Sequence, residues 1–371
     1  MNYFVYDKKK NLVTLSNAIL NHFTGSHFHD PNEEISLLLK EKPYEKIIVF
    51  LFDGMGKTIQ DEHLNDNDFI KKHNKYTFTS IFPPTTVAAT TSFLSGKYPV
   101  ETGWLGWMQY FPQYQKCIEM FTNCEYFDRT KFEKVGGKTI AETYCGYTSI
   151  IDLINDTNKY KAEAIFSIYI NGKNNENIAN FFQLVDNKAS QGLNFIYAYE
   201  TYPDSLIHQY GIHHPIVRRC CKTINKGIAS FAKKHKDWLI FVIADHSLIN
   251  IENEPVTRYE DFYSCLLHNY SLDSRSCTFF IKEGMKEQFL NAYEKYYQKD
   301  FKIFTKQEVI ENQLFGEGEE HPLFKDFLGD YLLTSISKKA FIPPLPGYEH
   351  IGAHAGSTKE EYEIYVSIIN K

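Results

Sequence analysis

KIIVFLFDG, residues 46–54, is the stretch on which the fold turns. Ile47 through Phe52 are all apolar, so the segment has no face to offer to water. A short apolar run of this kind, stopped by a turn signal, reads as a strand buried on both sides in a parallel sheet. Asp53 and Gly54 provide the stop. Two further runs repeat the design: NFIYAY (194–199) leads into Glu200 and, after a short loop, Asp204, and WLIFVIA (238–244) leads into Asp245 and His246. YTFTSIF (76–82) reads as another strand. Between them lie helical stretches. One, 87–94, follows Pro-Pro-Thr-Thr, a helix-start signal. Another, 215–236, has helical periodicity and lysines at its end, where the helix dipole favours positive charge. Strands alternating with helices predict an α/β protein with a mainly parallel central sheet flanked by helices.

The pattern fades between residues 253 and 346, where strand-like and helical pieces mix. The expected organisation is a catalytic core formed by 1–252 and 347–371, with 253–346 inserted as a smaller cap. A second irregular stretch, 104–137, is rich in aromatics and is expected to cover the site. Composition narrows the function classes. With 43% hydrophobic and 23% charged residues the chain is globular rather than disordered. A net charge of −6 leaves no basic footprint for nucleic acid. The seven cysteines form no CxxC pair and no disulfide framework, which suits free thiols in a reducing compartment. The N-terminal residues lack a signal-peptide pattern, and no run of about 18 apolar residues predicts a membrane span. The expected location is the cytoplasm. Oligomeric state is not readable.

In open α/β sheets, sites form beyond the carboxyl ends of the strands. Three of the four strands end in a potential ligand: Asp53, Asp204 and Asp245. A single aspartate there is ordinarily a cap or turn former. Three of them, two with histidine close by, point to metal. Asp204 and His208 are four apart, which places both on one face of a helical turn. His246 follows Asp245 directly. His354 lies in GAHAG, a loop of small residues where backbone can approach a ligand. Carboxylate and imidazole together favour zinc, with manganese as the alternative, and the set suffices for two ions. His213, His214 and His350 compete by proximity. A nucleophile needs a hydroxyl near the metals, and 82–96 offers Thr85, Thr86, Thr90, Thr91 and Ser92. Thr86 falls at the predicted helix start, where backbone amides favour phosphate; the competing reading is that Thr85 or Thr86 only caps the helix.

Five segments, taken in order, resemble the alkaline phosphatase superfamily, and within it the type I phosphodiesterase / nucleotide pyrophosphatase family. They are FLFDGMG (50–56), FPPTTVAATTSFLSGKYPVETGWLGW (82–107), YPDSLIHQYG (202–211), IADHS (243–247) and GAHAGST (352–358). The resemblance implies an alkaline-phosphatase-like core and a phosphoester substrate, which a nucleotide would satisfy. It implies that Thr86 is the nucleophile and passes through a phospho-threonine intermediate. It further implies that Asp53, Asp245 and His246 hold one zinc ion with Thr86, and that Asp204, His208 and His354 hold the other. Three positions depart from the family, the first being Thr102, which replaces the His that follows the nucleophile helix. The family's phosphate-contacting Asn is replaced by Trp107, which is left as a candidate substrate contact through its indole, and Ser247 replaces the glycine after Asp-His. A phosphomonoesterase, a phosphonate hydrolase and an inactive binding module of the same fold are the competing expectations.

Overall fold

The computed structural model describes residues 3, 5–167 and 178–371. At its centre Ile47–Phe52 is buried along its whole length. It pairs in parallel with Phe195–Glu200 on one side and Leu239–Ile243 on the other. The register sets Phe52 beside Glu200 and Leu51 beside Ile243. Asp53 and Asp245 therefore leave the sheet at the same height. Because every strand in this trio is covered on both faces, apolar side chains are needed at each position rather than at alternate ones.

The complete sheet has six strands, in the order Asn74–Thr79, Glu363–Ile369, Leu239–Ile243, Ile47–Phe52, Phe195–Glu200 and Ala162–Phe166. Glu363–Ile369 runs antiparallel to both neighbours. Helices flank the sheet in two groups. Leu12–Thr24 packs with Thr86–Ser95 and Ile150–Asp156, and Pro215–Lys234 packs with Ile178–Ala189 and Lys57–His63. The mainly parallel α/β architecture expected from the sequence is the one observed.

Several boundaries differ from the sequence reading. The strand expected at 76–82 is Asn74–Thr79. The chain leaves the sheet before Pro83 and Pro84, which have no N–H to donate to a ladder. The helix expected to reach residue 236 stops at Lys234. Two strands went unread, Ala162–Phe166 at an edge and Glu363–Ile369 near the C-terminus.

A second sheet, also of six strands, stands over the ends of the first. Its order is Phe301–Thr305, Tyr331–Ser335, Ser276–Phe279, Ser271–Leu272, Met108–Phe111 and Lys116–Glu119. Four of these strands lie within 253–346, and two come from 104–137. The join is the pairing of Leu272 with Met108. Gly106 fits this crossing because a Cβ there would lie 2.9 Å from the Leu272 backbone. The second sheet has its own core, including Phe262, Phe279, Phe289 and Tyr297. Among the described residues no helix is long and apolar enough to cross a membrane.

Candidate metal centre

The ends of the parallel strands converge on two clusters. In the inner one, Asp53, Asp245 and His246 each place a donor atom within 4.8 Å of the others, and all three are buried. Gly54 makes this possible. It sits at φ 69°, and a Cβ would strike Leu248 at 2.5 Å and Asp204 at 3.0 Å. Its N–H donates to Asp245 Oδ1 at 3.0 Å. The Asp-Gly pair thus turns the chain and orients the second carboxylate at once.

The Thr86 hydroxyl closes the inner cluster. It lies 3.3 Å from both oxygens of Asp53 and 3.2 Å from His246 Nε2. Thr86 is the first residue of the helix Thr86–Ser95, and Thr85, in the cap position, makes no side-chain cap bond. Neither threonine is used as a cap. The leading amides of the helix stay open towards the cluster, an arrangement that favours an anion.

The outer cluster is Asp204, His208 and His354, again with donor atoms within 4.8 Å. Asp204 and His208 share a face of the short helix Asp204–Tyr210. His354 arrives from the far end of the chain. The rings of His246 and His354 stack with centroids 3.9 Å apart, so the clusters adjoin.

Each of the three histidines places its Nδ1 against a main-chain carbonyl: His208 on Gly352 at 2.8 Å, His354 on Pro84 at 3.2 Å and His246 on Ser247 at 3.3 Å. An Nδ1–H donating to a carbonyl leaves the Nε2 lone pair free, the tautomer a metal ligand needs. Two buried oxygens, Asp204 Oδ1 and Asp245 Oδ2, have no hydrogen-bond partner among the described residues. No Lys or Arg among the described residues pairs with any of the three aspartates.

The electrostatics follow from this crowding. Burial, and then the charges of Asp245 and Asp204, push the Asp53 carboxyl well above its ordinary range. Burial also raises Asp245. Burial opposes ionisation of Asp204 too, but His208 and then His354 outweigh it and hold that carboxyl low. His354 is driven well below the usual imidazole value by burial and then by His246. Buried like charges without counter-ions are costly, and a pair of divalent cations removes the conflict. Orphaned carboxylate oxygens, free imidazole lone pairs and a mixed O/N donor set all fit such ions.

Two of the competing histidines are otherwise employed. His213 is exposed and pairs with Glu62 at 3.0 Å. His214 caps the helix Pro215–Lys234 by accepting from Ile216 N at 3.2 Å. His350 lies near His208, ring centroids 4.7 Å apart, but belongs to neither cluster.

The model of the family described as type I phosphodiesterase / nucleotide pyrophosphatase matches residues 47–362. The chain belongs to this family. Its solved structural relatives share the fold at low identity. Murine ectonucleotide pyrophosphatase / phosphodiesterase 5 superposes with a TM-score of 0.63 at 15% identity, covering 87% of each chain. An inactive form of that protein in complex with AMP gives 0.63 at 14%, again over 87% of each chain. Phosphonoacetate hydrolase from Sinorhizobium meliloti gives 0.64 at 14% identity, covering 89% of this chain and 90% of its own. A comparison with curated proteins returns no match.

In this phosphodiesterase-family chain a cavity of about 380 Å³ opens beside the outer cluster and reaches Thr86. Trp107 lines it, together with Tyr126, Arg129, Tyr270 and Tyr348. The backbone N–H of Trp107 is committed to Asp273 Oδ2 at 3.1 Å. Arg129 lies over the Tyr348 ring, 4.8 Å from its centroid, and pairs with Glu119 at 2.5 Å.

Two contributors escaped the sequence reading. Tyr199, last but one in its strand, donates its hydroxyl to Asp53 Oδ2. Its position at a strand end beside a ligand-bearing strand was the available signal. Asp273, buried in the cavity wall, is held near pH 7 mainly by burial. No local pattern marks it.

Proposed function

We propose that the chain is a two-metal phosphodiesterase or nucleotide pyrophosphatase that works through a phospho-threonine at Thr86. The observation that carries this reading is the Thr86 hydroxyl: it heads an uncapped helix and touches Asp53 and His246. Asp53, Asp245 and His246 would hold one ion with Thr86, and Asp204, His208 and His354 the other, with zinc as the expected metal and manganese as the alternative. Such ions, when bound, acidify a hydroxyl and offset negative charge on phosphoryl oxygens.

The chain's own groups supply the rest. Thr86 Oγ1 gives up its proton and forms the new bond to phosphorus while the bond to the departing oxygen breaks and that oxygen leaves, protonated, with the first product; water then cleaves the phospho-threonine, which frees the phosphoryl group and restores the hydroxyl. The amides at the start of Thr86–Ser95 face the phosphoryl oxygens. Gly54 N–H and the Tyr199 hydroxyl fix the carboxylates around the nucleophile. The aromatic wall gives a second ester arm room, which favours a diester over a small monoester. Trp107 is the proposed stacking or indole contact for that arm.

The test is metal analysis with a paired assay. The expected result is about two equivalents of zinc, with bis-p-nitrophenyl phosphate or a nucleotide p-nitrophenyl ester cleaved faster than p-nitrophenyl phosphate. The reverse substrate order converts the reading to a monoesterase. Less than one equivalent after zinc supplementation removes the two-metal mechanism altogether.

A further inference from the structure

The sequence reading gave Arg275 and Glu361 no role, yet both are completely buried. Arg275 Nε donates to Glu361 Oε1 at 2.7 Å and its Nη2 to Oε2 at 2.9 Å, a two-pronged ion pair. The remaining guanidinium bonds go to the carbonyls of Lys339 and Ser337, both at 2.8 Å. A buried ion pair gains little stability over apolar residues of the same shape, because removing both charges from water is costly. What this pair touches gives it a different purpose.

Glu361 Oε1 also accepts the Gly356 N–H at 2.8 Å, and Oε2 accepts the Thr358 hydroxyl at 2.8 Å. Both partners lie in the loop that carries His354. The backbone carbonyl of Glu361 accepts from Ser247 N at 2.9 Å, directly after Asp245 and His246. One residue therefore holds the segments supplying three of the six clustered donors. The His354 loop needs such restraint. Ala355 sits at φ 75°, a left-handed conformation unfavourable for a residue with a side chain, and persists only where its surroundings impose it. The imposing contacts are Ser276 Oγ on Ala355 O at 2.5 Å and Ala355 N on Pro84 O at 3.0 Å. Gly356 is shaped by the pair itself. A Cβ there would come within 2.5 Å of Arg275 Nη2 and 2.6 Å of Glu361 Oε2.

We propose that Arg275 and Glu361 are positioning residues for the metal centre, a buried clamp that sets His354 against Asp204 and keeps it in register with Asp245 and His246. The inference rests on reading those residues as ligands, as proposed above. The clamp also fixes the centre to the second sheet through Arg275, so the cavity wall and the ions share one reference point.

The experiment measures zinc loss from purified, zinc-loaded protein to a coloured chelator at a temperature well below unfolding. Glu361→Gln is expected to release one equivalent about 10- to 100-fold faster than wild type, the range for losing a ligand's supporting partner. Activity should fall at limiting zinc and recover with excess. Gly356→Ala, which displaces the pair while leaving both charges, should act in the same direction, and Thr358→Val more weakly. Phe289→Leu, in the core of the second sheet, serves as the control: it should lower Tm without altering zinc loss. If Glu361→Gln fails to fold, the glycine and threonine variants carry the test. Wild-type zinc loss in both Gly356→Ala and Thr358→Val, or equal acceleration in Phe289→Leu, overturns the proposal. Wild-type protein that binds no zinc overturns the two-metal reading itself, an outcome separate from loss of the clamp alone.

Discussion

The inner and outer clusters hold the same number of donors but are built differently. Asp53, Asp245 and His246 project from the ends of adjacent central strands, are fully covered and are braced by Gly54 and Tyr199. Asp204 and His208 stand on a seven-residue helix, partly open to the cavity, and His354 reaches them from a loop some 150 residues later. On the proposed mechanism the contrast separates two duties. A group that must hold a nucleophile at fixed distance belongs on the most rigid part of the fold, and a group that meets a changing substrate belongs where the cavity opens.

Breaking that comparison begins with Thr86→Ala. We expect turnover to fall on the order of 10⁴-fold or more, as when other nucleophiles are removed, with zinc content unchanged. Metal loss on this substitution would make the threonine a ligand first and a nucleophile second. Asp204→Ala comes next. It should empty the outer cluster alone, leave one equivalent of zinc, and cost more than the roughly 10- to 100-fold typical of a ligand's supporting partner. Loss of both ions would erase the distinction between the clusters.

Tyr199→Phe sharpens the inner half. Removing the hydroxyl from Asp53 should lower activity or inner-site affinity by roughly 10-fold, while the outer ion is unaffected. Chelation of the whole centre should lower stability too. Zinc held at about 100 times its Kd contributes about 2.7 kcal/mol, so Tm should fall on metal removal and return with zinc.

The smallest effect uses Glu200, a buried strand-end acid outside both clusters. Burial pushes its carboxyl from 4.5 up to about 7, only partly offset by Ser167 and Thr201. A carboxyl raised in the folded state stabilises the fold fully below its ordinary value and loses that contribution as pH rises through about 7. Glu200→Gln should therefore raise Tm by a few degrees at pH 8 relative to wild type, and by less at pH 5. An equal shift at both pH values would show that Glu200 keeps its proton throughout.

What the sequence disclosed follows physical lines. Ile47–Phe52 and Leu239–Ile243 were readable because strands buried on both faces cannot hide their apolar runs, and the aspartates that stop them stand out for the same reason. Glu363–Ile369 was not, because its role depends on a neighbour, Asn74–Thr79, almost 300 residues away. Asp204 with His208 could be paired from helical spacing alone. The choice of Thr86 among five hydroxyls could not be made locally, since any of the first two might have capped the helix; the observed helix start leaves both uncapped. Tyr199 offered only its place at a strand end, and Asp273 and the Arg275–Glu361 clamp were invisible because each acquires meaning only through a contact made across the fold. Four strands of the second sheet lie in the region where the strand–helix rhythm fails, and there short pieces such as Ser271–Leu272 give too little pattern to read.

The junction at Leu272 and Met108 has a practical consequence for anyone wishing to reprogramme this enzyme. The wall of the cavity is woven from two lengths of chain that meet at Met108 and Leu272, positions more than 150 residues apart in sequence. Transplanting either length alone would strand the other with an open edge and unanswered backbone groups. A successful graft must carry both, and natural drift in specificity meets the same constraint: changes on one ribbon have to be matched on the other.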